Sequence, residues 1–234
     1  MTLEVCVDTA EGLAEAVAGG ADRIELCSAL GLGGLTPTAG LIAEAARVPV
    51  PVMAMIRPRA GDFVWSEADL RMMEAEIAAV RAAGLSGVVL GASLPDLRLD
   101  ALGLKRLVAA AAGLDLTLHR CFDLVPDPAE ALETAIALGF RRVLTSGGEK
   151  TVAEGLDRLT ALVAQGAGRI SVMPGSGVAP ALAPKLKALG VAEVHASCGV
   201  AVEVAPQIVT LGFSGATQRR TSVDQVRALK AALG

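Results

Sequence analysis

Residues 1–28 read MTLEVCVDTAEGLAEAVAGGADRIELCS, and this stretch decides the fold. Leu3, Val5 and Val7 alternate with Glu4, Cys6 and Asp8, the two-residue period of a strand with one apolar face. The Ala-rich run 10–19 follows with helical spacing. Residues 23–27 then return to alternation, with Ile24 and Leu26 on one parity and Arg23, Glu25 and Cys27 on the other. A strand, a helix and a second strand in so short a span form one βαβ unit, whose two strands run parallel.

Working outward, the unit repeats. Strands are predicted over residues 3–8, 23–27, 50–57, 87–91, 115–122, 142–145, 169–173 and 193–197, with helices over 10–19, 38–47, 67–83, 101–112, 128–138, 152–165 and 179–189. Eight strands separated by helices, joined by right-handed crossovers, close most simply into an α/β fold of the (β/α)8 TIM-like barrel type. An open doubly wound sheet is the alternative. Ser66-x-x-Asp69 reads as a capping box and Gly84 as the stop of the helix between them. No linker divides the chain, so residues 1–234 are expected to form one domain. Residues 199–220 read as a long connection, either a lid or a plain surface crossover. Ser222-x-x-Gln225 then opens a C-terminal extension helix over 223–233.

Composition narrows the function. The chain is 53% apolar but only 2% aromatic, so its core must be aliphatic and the stacking platforms of single-strand nucleic-acid binding are missing. Lysine and arginine total 21 against 25 acidic residues, which leaves no basic stripe for a phosphate backbone. No nucleic-acid or membrane partner is expected. The first ten residues lack a secretory leader's pattern, and the four cysteines are expected as thiols in a cytoplasmic protein. The five lysines fall outside the inward strand positions, which argues against Schiff-base chemistry, and the two histidines are too few for a three-histidine zinc site. There is no P-loop. Barrels of this kind often pair through their helices, so a homo-oligomer, a dimer, is expected.

Parity predicts what points into the barrel. The apolar parity of each strand should face the helices, which sends Glu4, Cys6, Arg23, Glu25, Cys27, Met53, Met55, Arg57, Thr117, His119, Cys121, Ser171, Met173, His195 and Ser197 inward. That interior is polar and sulfur-rich where branched aliphatics would ordinarily pack. Buried Glu4 and Glu25 need partners, and Arg57 and Arg23 are the cations expected to supply them.

Two chemistries compete. Cys6 and Cys27, on adjacent strands with Met55, Met173 and a histidine nearby, form a soft-ligand set suited first to copper(I) and next to zinc. A single inward cysteine is more often a small core residue, and only the pair makes the two readings even. The other reading is an enzyme acting on a small anionic metabolite, a phosphate or a carboxylate. Arg57 and Arg59 would supply cations. The loops carrying Ser146 and Gly147, Gly175, Ser176 and Gly177, and Ser197 would supply backbone N–H groups. His119, Asp123 and Glu25 are its acid–base candidates.

The runs EVCVD (4–8), GGADRIELC (19–27), GGLTP (33–37), MIRPRAGDF (55–63), HRCFD (119–123), LTSGG (144–148), MPGSGV (173–178) and EVHAS (193–197) resemble, in this order, the copper homeostasis protein CutC family. The resemblance spans about residues 3–199, with VTLGFSG (209–215) fitting the family's ending more loosely. It implies a TIM-like barrel, a cytosolic setting and a role in copper tolerance or trafficking through cysteine thiolates, with Cys6 and Cys27 at the positions suggested to bind copper. Members usually carry Ala-Arg after the serine that ends strand eight. Cys198-Gly199 stands here instead, so a cation at the barrel mouth is missing.

Overall fold

The computed structural model describes residues 1–234. Eight parallel strands form the central sheet: β1 (Thr2–Val7), β2 (Arg23–Leu26), β3 (Val52–Met55), β4 (Gly87–Leu90), β5 (Asp115–Leu118), β6 (Arg142–Thr145), β7 (Ser171–Pro174) and β8 (Glu193–Ala196). Between them run α1 (Ala10–Ala18), α2 (Ala39–Ala45), α3 (Glu67–Ala82), α4 (Ala101–Ala110), α5 (Pro128–Leu138), α6 (Leu156–Gly166) and α7 (Ala183–Ala188). The strands pair in the order β7-β6-β5-β4-β3-β2-β1-β8, so the first strand joins the last. β7 lies beside β8 without a hydrogen-bonded ladder, leaving a nearly closed barrel with one seam.

The apolar parity expected to face the helices is buried on β1, β2 and β3. Leu3, Val5, Val7, Ile24, Leu26, Val52 and Ala54 are all buried in a 47-residue aliphatic cluster between strands and helices. A separate small cluster of Cys27, Met53, Met55 and Val89 fills part of the barrel interior. At Gly87 a Cβ would stand 2.5 Å from the Met53 methyl, so glycine on β4 is what lets the inward methionine cross the lumen.

The floor of the barrel is ionic. Arg23 pairs with both Glu4 and Glu193 and touches the Met173 sulfur at 3.2 Å. Arg142 joins it from β6, where Leu144 shares the parity of Arg142 and Thr145 that of Val143, so neither parity is purely apolar and spacing assigns no face. Its guanidinium reaches Asp115 at 2.8 Å, Thr117 at 3.0 Å and Glu193 at 3.2 Å. Glu193 on β8 thus receives arginines from β2 and β6, tying together both sides of the seam. Arg57 takes no part. It is held at the mouth by the carbonyls of Leu32, Gly34 and Gly61, so the expected pairing of Arg57 with a buried glutamate does not form.

Three elements differ from the expectation. The fifth strand stops at Leu118, because His119 caps a 3-10 turn over Arg120–Leu124 with its own side chain. Cys121 therefore leaves the inward parity and packs in the aliphatic cluster. The connection expected over 199–220 contains a two-stranded antiparallel hairpin, β9 (Gly199–Glu203) and β10 (Thr217–Thr221), with the short helix α8 (Pro206–Thr210) between them. Its strands bury no continuous apolar face, so alternation gives no signal for them. Finally, α9 (Val223–Leu233) packs on α1, α7 and β1, in the place of the barrel's eighth helix. Ser222 makes no side-chain cap; the Glu15 carboxylate of α1 accepts from the Val223 N–H at 2.7 Å instead.

Candidate functional site

A cavity of about 1520 Å³ opens at the carboxyl ends of the strands. Its lining includes Cys6, Asp8, Glu25, Met55, Arg57, His119, His195, Ser176, Gly177 and Ser197. The hairpin overhangs it.

At its base, Cys6, Glu25 and His195 come together from β1, β2 and β8, with one donor atom from each lying within 4.8 Å of the others. Barrel closure makes this possible: the β1–β8 register sets Glu4 opposite His195, and the β1–β2 register sets Cys6 opposite Glu25. His195 Nδ1 lies 2.8 Å from Glu4 Oε1, which turns Nε2 toward Glu25 Oε2 at 3.7 Å. Glu4 is itself anchored by Arg23. The histidine's orientation is therefore set by a carboxylate and an arginine behind it.

The electrostatics follow from this packing. Burial alone would raise Glu4, but the His195 hydrogen bond and the Arg23 charge hold it down to about 2. Burial alone would lower His195, yet Glu25, Cys6 and Glu4 around it raise it well above the usual imidazole range. Glu25 is raised, chiefly by burial. Its Oε2 accepts from Cys27 Sγ at 3.5 Å, and its Oε1 is buried with no partner. Burial and the Glu25 charge push the Cys27 thiol well up. Cys27 thus stands behind Glu25, outside the three-residue cluster and outside the cavity lining.

Of the other candidates, His119 and Arg57 line the cavity, both packed on Phe63. Arg59 does not reach it: the guanidinium lies over Trp65 and pairs with Asp62 and Asp69. Asp123 is not a free acid or base. Its carboxylate accepts from Ser146 N–H at 3.1 Å, Gly148 N–H at 3.0 Å, Ser146 Oγ at 3.1 Å, Arg120 Nε at 2.6 Å and the Thr145 hydroxyl. Gly147 N–H is taken by Thr145 Oγ1 at 2.9 Å. The loop with Ser146 and Gly147 is folded around Asp123 and offers no open anion cradle, against the expectation. Gly175 N–H continues the sheet to Thr145 O at 3.0 Å, so it too is spent. Ser176, Gly177 and Ser197 stay at the mouth, and their N–H groups have no protein acceptor. His195, expected to face inward, completes the three-residue cluster, and spacing alone does not single it out. The signal for it is the pairing of first and last strands in a closed barrel.

The fold and site define a class: a TIM-type barrel whose mouth presents a cysteine and a carboxylate from consecutive strands and a histidine that joins them when the last strand closes on the first. The chain belongs to the CutC family, whose model matches residues 1–200. Family protein CutC of Rhizobium meliloti (strain 1021) is 58% identical over 238 residues, covering 100% of this chain and 96% of that protein. Family protein CutC of Caulobacter vibrioides (strain NA1000 / CB15N) is 52% identical over 237 residues, covering 98% and 97%. Among solved structures, a CutC from Streptococcus agalactiae, assigned by name to copper homeostasis, superposes with a TM-score of 0.80 at 31% identity, over 84% of this chain and 98% of that one. Thiamine phosphate pyrophosphorylase from Pyrococcus furiosus (TM-score 0.61, 15% identity, 99% and 95% covered) shares the barrel alone.

Proposed function

We propose that this chain binds copper(I) at the base of the barrel mouth and serves copper homeostasis in the cytoplasm. The observation that carries the reading is the convergence of Cys6, Glu25 and His195 within 4.8 Å. A thiolate and an imidazole are donors that copper(I) accepts, and thiolate softness favours it over harder ions. The orphaned Glu25 Oε1 fits a missing cation: a buried acceptor without a partner carries a desolvation cost that a bound ion removes. The Glu4 carboxylate behind His195 is the arrangement that orients metal-bound histidines and raises their basicity. Cys6 is the principal ligand, His195 the second, and Cys27, 3.5 Å from Glu25, the thiol next in reach. All four cysteines are free, as a reducing compartment keeps them.

The test is an anaerobic copper(I) titration against a competing chelator. Cys6→Ser should weaken affinity about a hundredfold or more. Glu4→Gln, which leaves every ligand in place, should weaken it by about ten- to a hundredfold. Equal, weak affinity in wild type and in the Cys6→Ser, Cys27→Ser double variant would overturn the reading.

A further inference from the structure

Beyond the Cys6, Glu25 and His195 cluster, the cavity lining carries a second, unassigned constellation. His119 Nδ1 accepts the Cys121 N–H at 3.1 Å, capping the 3-10 turn that follows β5. An imidazole that accepts at Nδ1 carries its proton on Nε2 when neutral. That Nε2 is buried and has no partner in the protein. The seat is built for the ring: at Gly91 a Cβ would stand 2.4 Å from His119 Cε1 and 2.5 Å from Nδ1. Phe63 packs against the imidazole with ring centroids 4.7 Å apart, and the Arg57 guanidinium lies 4.9 Å from the centroid of the same ring.

Arg57 is likewise incompletely used. Its Nη1 and Nη2 donate to Leu32 O at 2.8 Å, Gly34 O at 3.1 Å and Gly61 O at 3.0 Å, while its buried Nε has no acceptor. Both residues line the cavity. Two buried donors left unmet, one cationic and one neutral, each carry a desolvation cost unless an acceptor arrives. Both pack against the Phe63 ring, and neither is among the three residues of the Cys6 cluster.

We propose that His119 and Arg57 form a binding point for the carboxylate of a small organic acid. Two donors match the two oxygens of a carboxylate, one bond charge-assisted through Arg57 Nε and one from the neutral His119 Nε2. The Phe63 ring supplies an apolar floor for the acid's carbon atoms. Phosphate fits less well: the lining also holds Glu25 and Asp8, which repel a dianion more than a monoanion. The neutrality of His119 has a local origin, since burial and the Arg57 charge hold it down to about 3.

The test uses the metal-free, reduced full chain labelled with nitrogen-15 on histidine, titrated with sodium acetate and, separately, with inorganic phosphate. Acetate should shift the His119 Nε2 resonance saturably while leaving His195 unmoved, and should bind more tightly than phosphate. His119→Phe, which keeps a ring on Phe63 but removes the donor, should weaken acetate binding about tenfold. His119→Gln, which restores an N–H donor, should recover part of it. Absence of a saturable acetate shift at His119 in the wild-type chain overturns the proposal, whatever the variants do. So does phosphate binding at that nitrogen as tightly as acetate, or equal acetate affinity in His119→Phe. Because no copper is present, these outcomes are independent of the metal titration.

Discussion

The two histidines are chemical opposites within one cavity. His195 is surrounded by carboxylates and a sulfur and is raised well above its usual range, whereas His119 is held down to about 3 by burial and Arg57. An unfolded histidine titrates near 6.5, so between about 6.5 and 3 the unfolded chain takes up a proton at His119 that the folded chain refuses. Its contribution to stability is therefore complete above 6.5 and is lost as pH falls toward 3. At pH 4.5 the loss should be about 3 kcal/mol. Urea unfolding at pH 7.5 and 4.5 checks this: the difference between the two pH values should move by about 3 kcal/mol in favour of acid stability in His119→Phe. His195 contributes in the other direction, fully below 6.5 and less as pH rises through its raised value, and Glu4, held to about 2, keeps most of its contribution at pH 4.5. Both contributions are common to the two chains and cancel in the comparison.

At the scale of elements, the strand parities are legible because period-2 alternation is a local property: Leu3, Val5 and Val7 have to face one way and Glu4 and Cys6 the other. The loops are not. LTSGG reads as a phosphate-type turn, yet its Ser146 and Gly148 N–H groups are taken by Asp123 from the preceding βα loop, 23 and 25 residues away, and its Gly147 N–H by Thr145 Oγ1. Nothing in the five letters announces that distant carboxylate. Asp123→Ala leaves several of these donors without an acceptor and should destabilise the chain by about 3 kcal/mol. Hydrogen exchange should quicken at residues 146–148, while copper(I) affinity stays at the wild-type value. Retained stability and protection would show that the loop holds itself without Asp123. Cys121 makes the same point: the 3-10 turn capped by His119 ends the strand before parity can turn Cys121 inward.

On the scale of the whole molecule, closure does two jobs. It brings Glu4 and His195 together across 191 residues of chain, and it leaves α9 to pack on β1 between α1 and α7. Val226, Leu229 and Leu233 are buried there, and a Cβ on Gly19 would stand 2.5 Å from the Val226 Cβ. The hairpin is different, with Leu211 and Phe213 largely exposed beyond it. Deleting residues 223–234 should therefore abolish the cooperative thermal transition. Replacing 204–216 with a short Gly-Ser turn should move the midpoint by no more than about 4 °C. Circular dichroism melts of the two truncations distinguish a structural helix from a peripheral arm; equal effects would refute the division.

The sequence by itself determined the repeated βα unit, the barrel, and the apolar parity of its first strands, because these follow from local periodicity. It also marked Cys6 and Glu25, whose strands are neighbours in the chain. Only the tertiary structure decided that His195 completes their cluster, that Cys27 stands behind Glu25, that Arg23 and Arg142 form the floor, and that Asp123 closes a loop. Each of those depends on which strands and loops become neighbours when the sheet closes, and distance through space is not written in the spacing along a chain.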